Sequence, residues 1–549
     1  MGRLPQTICV ALLMSIVWPV AAEEFEPGDS VWIQFGDPDQ EHGLYRLPWG
    51  EPPLLSRGGR YARRTEHDSL WRFRVDPRFL HEPMPVRLVL EYWDEGEDWF
   101  VLSYASNDPT GEDRGESKRT YAHYHTDTGT WKQVVFDLPD ARFSGNAWNP
   151  DFSVCLDNWL GLSRPGVTLS RVEVIKGGIV LTVSPEAVSA DGESTAEVQA
   201  RAYDRCGRPV PDGTQVRFTC TAGGIRPQEA TTVGGCAAAT FTGGKRPGSV
   251  DVTASTGEHS TTVVVPMLDG SGPVHEVTYV LDDFAHPERW RIEDSEDFEG
   301  RLQMADVMSY RGRPVARWDY CFKRPMNIPI PMYRTIATPG QVKRLSIWAN
   351  HDGSGNGLDL HLRDAGGESI RWVLGNLWQR GWRWEWHDLG RPHYGYFDRD
   401  FRVSWPITFE RINFSRWRKE PDVGQMGTVF FQDLVATCLV PESSLVWPRV
   451  ELGTRHEEAP GREVPCEVLV HNLDDQPYHD LRLDVAVIDH AGRASVCEET
   501  TFSLAPREIK SFEYSFRPKY WGDNTVEARV RGGRIDSIGR DVLAVGPIR

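Results

Sequence analysis

The chain has 549 residues, of which 79 are Asp or Glu and 61 are Lys or Arg, so its formal net charge is −18. This acidic balance, with no basic block, argues against a protein that holds the phosphate backbone of nucleic acid. The length is sufficient for several domains, and a content of 21 Trp and 51 Gly suits β-sandwiches with long loops.

The N-terminus predicts export. Residues 1–22 carry Arg3, continue through the apolar run ICVALLMSIVWPV and end in Ala21 and Ala22. This is the pattern of a secretory signal peptide cleaved near Ala22, and the apolar run is too short to span a membrane. No later stretch approaches the roughly 18 apolar residues of a membrane helix. We therefore expect a secreted, periplasmic or cell-surface protein that does not insert into a membrane.

The remaining sequence predicts strands almost throughout. Short alternating runs such as VRLVLEYW, SVDVTAST and LRLDVAVID recur between Gly, Asp, Asn and Pro residues. A period of two is typical of half-buried strands, and long helical patterns are nearly absent. We predict an all-β fold of four tandem β-sandwiches, two of them jelly rolls and two Ig-like. Their predicted bounds are 23–177, 178–268, 274–440 and 444–549.

The second module carries the most specific motifs. It opens with VSADGESTAEV, continues with DRCGRPVPDG and closes with GSVDVTAS. Asp204, Gly207 and Pro209 supply turn chemistry, and Val216 and Phe218 share one face of a strand. These motifs resemble the bacterial Ig-like domain of the invasin/intimin type. The resemblance implies a rigid spacer or adhesin stalk without catalytic residues.

The first and third modules share a strand pattern. The segments GTWKQVVFDLPDARF (129–143) and RGWRWEWHDLGRPHY (380–394) align on Trp131 with Trp382 and on Asp137 with Asp388. Both modules resemble the galactose-binding-like, carbohydrate-binding jelly rolls that accompany bacterial glycosidases. The fourth module resembles the Ig/fibronectin-like sandwich that often precedes a glycosidase barrel. The whole chain thus resembles the non-catalytic N-terminal half of a large glycosidase.

The aligned strand of the third module alternates indoles with polar side chains, in the order Trp382, Arg383, Trp384, Glu385, Trp386 and His387. The register of the first module would place the polar set inside, which costs several kcal/mol per buried ion. Burying the indoles instead is favourable at about 25 cal/mol per Å2. We therefore expect the indoles in the core, a bulge near His387, and a polar row on the outer face.

Sugar binding requires aromatic faces for the rings and planar polar groups for the hydroxyls. The candidates are Arg371, Trp378, Arg383, Glu385, His387 and Tyr394 in the third module and Trp148 in the first. For any single Trp, the core of a sandwich is the competing location.

Calcium is the one cofactor that the jelly-roll resemblance implies. Jelly rolls of this kind often join their first and last strands through a structural calcium ion held by acidic residues. Asp282, Asp283 and Asp433 occupy the matching positions, and oxygen ligands from separate segments suit a hard cation. The alternative is that Asp282 caps a strand end and Asp433 is an ordinary surface residue.

Catalytic motifs are absent, with no G-x-S-x-G, HExxH or phosphate loop. His123, Tyr124 and His125 are residue types that a jelly-roll polysaccharide lyase uses as base and acid. Exposed His and Tyr on strands are nevertheless commoner than catalytic ones, so we expect no enzymatic activity. Eight cysteines remain after the signal peptide, and the plausible disulfide pairs are Cys321 with Cys438, Cys466 with Cys497 and Cys220 with Cys236.

Three functional hypotheses remain open. The first is a secreted, monomeric, non-catalytic protein that binds a polysaccharide or cell-surface glycan through its jelly rolls. The second is the accessory half of a glycoside hydrolase whose barrel is missing or separately encoded, because such barrels begin just after a stretch like DVLAVGP, which here ends two residues before Arg549. The third is a surface adhesin or structural protein in which the Ig-like stalk matters most.

Overall fold

In the computed structural model of the chain, the structure describes residues 28–47, 52–65, 70–80, 82–96, 99–106, 118–120, 123–143, 150–156, 166–257, 259–293, 295–323, 329–377, 380–388, 403–416, 425–457 and 459–546. These residues form 41 strands and two 3-10 helices, Pro287–Arg289 and Glu442–Ser444. The prediction of an all-β fold of tandem sandwiches is confirmed. Across these ranges, no helix has the length and apolar character that a membrane crossing requires.

The first module contains two sheets packed on one core. Its strands are β1 (Ser30–Gln34), β2 (Gln40–His42), β3 (Leu44–Arg46), β4 (Leu54–Arg57), β5 (Arg60–Arg64), β6 (Trp71–Val75), β7 (Met84–Asp94), β8 (Trp99–Tyr104), β9 (Lys118–Arg119), β10 (His123–Tyr124), β11 (Thr130–Ala141), β12 (Phe152–Leu156) and β13 (Thr168–Lys176). One sheet has the order β11-β7-β13-β1-β2, with β5 also on β13 and β4 on β5, and the other has the order β10-β8-β12-β6-β3, with β9 on β8.

The second module is a smaller sandwich. Its strands are β14 (Gly178–Ser184), β15 (Val188–Ser189), β16 (Thr195–Tyr203), β17 (Gln215–Cys220), β18 (Gly224–Arg226), β19 (Glu229–Thr231), β20 (Cys236–Thr242), β21 (Gly248–Thr256) and β22 (His259–Leu268). Its sheets have the orders β14-β16-β20-β18 and β15-β22-β21-β17-β19. The strand β16 alternates exposed and buried residues along nearly its whole length, as a strand with one core face should.

The third module carries the candidate site. Its strands are β23 (Val274–Asp282), β24 (Arg291–Ile292), β25 (Phe298–Tyr310), β26 (Arg313–Phe322), β27 (Ile330–Ala337), β28 (Gln341–His351), β29 (Gly357–Arg363), β30 (Ser369–Asn376), β31 (Gly381–Asp388), β32 (Thr408–Ser415) and β33 (Met426–Pro441). One sheet has the order β25-β26-β33-β28-β31, with β23 also paired to β33. The other, which we call the five-stranded sheet, has the order β24-β27-β32-β29-β30.

The fourth module has a three-stranded sheet and a five-stranded sheet of its own. Its strands are β34 (Val446–Leu452), β35 (His456–Glu457), β36 (Val464–Asn472), β37 (Tyr478–Ile488), β38 (Ala494–Leu504), β39 (Ile509–Phe516), β40 (Gly522–Gly532) and β41 (Ile535–Val545). The sheet orders are β34-β36-β39 and β35-β41-β40-β37-β38. Apolar packing does not stop at the boundary with the third module, because one hydrophobic cluster runs from Val277 to Val545. The first and second modules each have a separate cluster.

The core of the third module is tightly packed around Trp318. A Cβ added at Gly300 would lie 2.2 Å from Cη2 of Trp318, and Trp318 is completely buried. We therefore expect Gly300→Ala to lower the free energy of unfolding by about 1–3 kcal/mol, because the indole must move within a filled core. Calorimetry of the full chain measures this. Gly224→Ala, whose Cβ meets no atom within 4 Å, is the control, and equal unfolding temperatures for the two variants would contradict the prediction.

Candidate functional site

The outer face of the five-stranded sheet carries a continuous row of polar and aromatic side chains. The strand register places Arg291 opposite Tyr333, Tyr333 opposite Arg411, Arg411 opposite His361, and His361 opposite Arg371. We call these five residues the arginine row. With a strand spacing of about 4.8 Å, the row extends over roughly 19 Å. The intervening positions of β29, which include Leu360 and Leu362, face the core and explain why the polar residues face outward.

A second, more deeply buried set of polar side chains lies beside the arginine row. Asp359 on β29 is opposite Asn413 on β32, and the structure exposes none of the Asp359 residue to solvent. Its carboxylate accepts hydrogen bonds from the guanidinium of Arg371 and, at 3.2 Å, from the hydroxyl of Ser415. Burial raises the pKa of Asp359, and the attraction of Arg371 offsets this effect only in part.

His361 connects the two sets of residues. A guanidinium nitrogen of Arg411 lies 3.2 Å from Nδ1, and the side-chain amide of Asn413 lies 2.6 Å from Nε2. Burial, and then the positive charges of Arg411 and Arg371, lower the pKa of His361 to about 3. The ring is therefore neutral at neutral pH. Arg411 can only donate, so Nδ1 of the ring accepts its hydrogen bond.

Tyr333 supplies an aromatic face within the arginine row. The guanidinium carbon of Arg291 lies 5.1 Å from the ring centroid, and that of Arg411 lies 5.4 Å from it. Both distances are within the range of cation–π attraction. Arg291 is exposed, whereas Tyr333 and Arg411 are half-buried. Solvent exposure therefore decreases from Arg291, at one end of the row, towards the buried Asp359, which pairs with Arg371 at the other end.

The predicted glycan-binding residues divide between the two sheets. Arg371 lies in the arginine row, whereas Arg383 and Glu385 lie on β31, at the edge of the other sheet. The expected register of β31 is wrong. Arg383 lies opposite Ala349 and Glu385 lies opposite Ile347, and both of these partners are fully buried core residues.

The indoles of β31 consequently face outward. Trp382 stacks on Tyr310 with 4.1 Å between ring centroids, and Trp384 lies 4.8 Å from Trp348. The guanidinium carbon of Arg311 lies 4.3 Å from the Trp348 ring. We call these aromatic residues the outer aromatic cluster. Tyr310 and Trp348 thus partly bury the indoles of Trp382 and Trp384 on the outer face, and these indoles do not enter the core.

An edge strand explains why the polar residues are tolerated on the inner side of β31. Arg383 remains exposed, and a carboxylate oxygen of Glu385 lies 3.1 Å from Nε2 of buried His351. The cost assumed for burying these charges applies to an enclosed strand. The side chains of Trp386 and His387, and the whole of Trp378, Tyr394 and Trp148, lie outside the described residues.

The three expected calcium ligands do not form a metal site. Asp282 pairs with Arg334 at 3.0 Å, and Asp433 pairs with Arg313 at 2.7 Å. The side chain of Asp283 accepts a hydrogen bond from the backbone N–H of Ala285. In the described ranges, no group of three His, Cys, Asp or Glu side chains is placed to hold a metal ion. A bound calcium ion stays a prediction.

The histidines of the first module pack at one end of its sandwich. His123 Nε2 lies 2.7 Å from the hydroxyl of Tyr92, and His125 Nδ1 lies 3.5 Å from the carboxylate of Asp94. Burial lowers the pKa of His123 to about 4 and, with the charge of Asp94, raises the pKa of Tyr92 to about 12. Tyr92 and His125 are both buried, so this cluster does not present an acid–base pair on the surface.

None of the expected disulfides is present. The free cysteines include Cys220, Cys236, Cys321, Cys438 and Cys466, so each of the three expected pairs lacks its bridge. Cys438 and Cys466 are buried among core residues, where a thiol behaves as a small apolar side chain.

Sequence reasoning missed six members of the site: Arg291, Tyr333, Asp359, His361, Arg411 and Asn413. The signal that indicates the four on β29 and β32 is the strict alternation in LDLHLR and RINF, where apolar residues alternate with Asp, His, Arg and Asn. Such strands present one polar face that must lie outside the core. The alternation does not reveal that the two strands are neighbours, because their residues lie about 50 positions apart in the chain.

Comparisons with known proteins identify one module. Residues 178–268 match the family model described as a bacterial Ig-like domain (group 1), which confirms the predicted resemblance for this module. No curated protein matches the chain.

Several solved structures show weak similarity to the chain. Carbohydrate-binding modules from the β-sandwich superfamily align at 11% identity, 48% coverage of this chain, 98% coverage of theirs and a TM-score of 0.21. A C-terminal fragment of intimin, solved in complex with the intimin-binding domain of its receptor, aligns at 9% identity, 67% and 64% coverage and a TM-score of 0.18. A putative β-galactosidase from Bacteroides fragilis aligns at 12% identity and a TM-score of 0.19, covering 40% of this chain but only 33% of its own. At such identities and TM-scores, these alignments bear on neither ligand nor activity.

Proposed function

We propose that the third module binds a glycan on the outer face of its five-stranded sheet, without catalysing a reaction on it. The observation that carries the proposal is the arginine row, which places Arg291, Tyr333, Arg411, His361 and Arg371 in register across all five strands. A sugar chain is a long ligand with many hydroxyls. A flat row of donors and one aromatic face suits such a ligand better than it suits a compact metabolite.

The side chains divide the recognition between them. The half-buried ring of Tyr333 offers a face for the C–H groups of a sugar ring. The guanidinium groups of Arg411 and Arg371 are planar and hold their donors in fixed directions, as pairs of neighbouring hydroxyls require. Asp359 holds Arg371, and His361, itself held by Asn413, contacts Arg411. Both guanidinium groups are thus positioned before a ligand arrives, which reduces the entropy lost on binding.

The neighbouring modules act as supports in this proposal. The Ig-like second module is a spacer, in keeping with its family match, and the fourth module shares a core with the binding module. A role as the accessory part of a glycoside hydrolase would use the same face. An extracellular glycan requires export, which residues 1–22 predict.

Replacing Tyr333 by alanine tests the site. We expect the affinity of the full chain for its best polysaccharide ligand to fall roughly tenfold, because an aromatic contact contributes about 1 kcal/mol or more. The measurement is binding to an immobilised panel of polysaccharides, followed by titration of the strongest ligand. Tyr520→Ala is the matched control, since Tyr520 also has an arginine against its ring, Arg493 at 4.4 Å, but lies in the fourth module.

Two results would contradict the proposal. One is the absence of binding to every polysaccharide on the panel. The other is equal affinity of the Tyr333→Ala and Tyr520→Ala variants for a polysaccharide that the parent binds, which would move the site away from the arginine row. Loss of binding in the Tyr333 variant alone supports the proposal.

A further inference from the structure

We propose that the arginine row selects acidic glycans, meaning sugars that carry a carboxylate or sulfate group, with Arg411 as the residue that holds the anionic group. This inference rests on the proposed function, because it names the class of glycan that the same face binds.

Arg411 is a half-buried cation without an anionic partner among the residues that the structure describes. Among the described residues its guanidinium contacts neutral His361 and the ring of Tyr333, and no carboxylate lies within ion-pair distance. Its Nε is buried and has no hydrogen-bond acceptor. Partial burial removes water from a charge, and an unpaired buried charge is unfavourable. An anionic ligand would supply both the missing acceptor and the missing charge.

Three other arginines of the same module are compensated. Arg363 pairs with Glu410 at 2.6 Å, directly beside Arg411 in the chain. Arg334 pairs with Asp282 at 3.0 Å, and Arg317 pairs with Asp319 at 2.9 Å. The chain therefore places carboxylates next to arginines even within one residue of Arg411. The missing partner at Arg411 is thus a property of this position on the sheet.

The rest of the arginine row does not cancel the charge. Arg371 pairs with the buried carboxylate of Asp359, which accounts for one of the three arginines. Arg291 pairs with Glu293 at 3.3 Å, but both side chains are more than half exposed, and such a pair is weak. His361 contributes no charge at neutral pH. The row therefore has a net positive charge on a chain whose total charge is −18.

The overall negative charge sharpens the selectivity. A chain with net charge −18 repels polyanions over most of its surface, so binding of an acidic glycan requires a localised positive site. A guanidinium group binds carboxylate and sulfate oxygens through two parallel N–H donors, which a neutral hydroxyl cannot match in strength. We expect only one or two charge contacts, and therefore a moderate dependence of affinity on salt.

The test compares matched pairs of polysaccharides that differ only in their acidic groups. The full chain is bound to an immobilised panel of neutral, uronic acid-containing and sulfated polysaccharides. Each acidic polymer that binds is then tested again after its carboxyl groups are reduced to alcohols, or after its sulfates are removed. We expect binding to acidic polymers and a loss of at least about tenfold once the acidic group is gone. The carboxyl-reduced and desulfated polymers distinguish the two possible anions.

The variant Arg411→Gln is expected to lose acidic-glycan binding by at least about tenfold. Arg411→Lys keeps the charge but not the paired donors, and should lose less. Arg317→Gln is the matched control, because Arg317 lies in the same module but on its other sheet, in an exposed pair with Asp319. Because no carboxylate of the described residues pairs with Arg411, Arg411→Gln should unfold at a temperature equal to or above that of the parent.

The possible outcomes separate selectivity for acidic glycans from glycan binding as such. Selective loss of acidic-glycan binding in Arg411→Gln, with unchanged binding in Arg317→Gln, supports the inference. Binding of neutral and acidic forms with equal affinity, unaffected by Arg411→Gln, overturns the inference but leaves glycan binding standing. No binding to any polymer overturns both. If Arg411→Gln does not fold, salt decides on the parent alone, because raising ionic strength weakens binding to an acidic polymer and spares binding to a neutral one.

Discussion

Replacing Glu451 by glutamine should lower the free energy of unfolding by roughly 3–5 kcal/mol and destabilise the third and fourth modules together. The Glu451 side chain is only 12% exposed, and its carboxylate lies 2.8 Å from Arg449, 3.0 Å from Arg334 and 3.0 Å from Arg289. Two of these arginines belong to the third module and one to the fourth. The substitution removes the one carboxylate that all three arginines share, although Arg334 keeps Asp282 and Arg289 keeps Glu467.

The effect should depend on pH in a defined direction. Burial acts to raise the pKa of Glu451, but the attraction of Arg449, Arg334 and Arg289 outweighs it, so the pKa lies below its usual value. A carboxyl group whose pKa is lowered by folding stabilises the folded state above its unfolded pKa of about 4.3. That stabilisation is lost as the pH falls through the lower, folded-state pKa. The difference between parent and Glu451→Gln should therefore be full at pH 7 and shrink in strong acid.

Hydrogen exchange followed by mass spectrometry measures this in the full chain, because peptides report on each module separately. Peptides from residues 274–440 and 444–546 should lose protection together, since the two modules share one hydrophobic cluster, while peptides from residues 28–268 should not change. Glu463→Gln is the matched control. Glu463 pairs with Arg517 at 3.0 Å, but both side chains are more than half exposed, so we expect a change below about 1 kcal/mol. Loss of protection in the fourth module alone would show that the two modules unfold independently.

Replacing Asp94 by asparagine should lower the stability of the first module by about 2–3 kcal/mol. The Asp94 carboxylate is completely buried and lies 2.7 Å from Nζ of Lys132. It also accepts hydrogen bonds from the backbone N–H groups and hydroxyls of Thr126 and Thr128, at 2.7–3.1 Å. An asparagine amide must turn its NH2 group towards one of these donors. The turn that leads into β11 would then lose its central acceptor.

Acid should remove the same stabilisation from the parent protein. Burial acts to raise the pKa of Asp94, but the hydrogen bonds from Lys132, Thr128 and Thr126 hold it well below its usual range. The stabilisation is thus present above the unfolded pKa of about 3.9 and declines as the pH falls below it. Thermal unfolding at pH 7 and at successively lower pH should show the parent approaching Asp94→Asn. Asp137→Asn, at an exposed 3.4 Å pair with Arg87 in the same module, should change stability little, and an equal loss in both variants would contradict the assignment.

The register of β31 could not be predicted from burial energies and sequence alone. The alternation of Trp382, Arg383, Trp384 and Glu385 established that two chemically different faces exist. It did not establish which face is inner, because the answer depends on whether the strand is central or at an edge. At the edge, Arg383 remains exposed to solvent, and Glu385 lies 3.1 Å from His351. The indoles gain their burial from Tyr310 and Trp348 instead.

The expected calcium ligands show a related limit of chain position. Asp282, Asp283 and Asp433 were selected because their chain positions match strands that meet in space, and Asp282 and Asp433 do lie on the paired strands β23 and β33. Their carboxylates nevertheless face arginines from other strands, Arg334 and Arg313. An arginine partner satisfies a carboxylate as well as a metal ion does, and no pattern along the chain shows which of the two is present.

The sequence by itself determined the strands, the all-β class and the identity of the Ig-like module, because period-two alternation and turn residues are local properties of the chain. The candidate site was determined only by the tertiary structure. The five members of the arginine row lie at positions 291, 333, 361, 371 and 411, and nothing local to those positions indicates that they meet. They form one row because sheet pairing sets β24, β27, β32, β29 and β30 side by side, and cross-strand register, unlike alternation, is fixed by contacts distant in the chain.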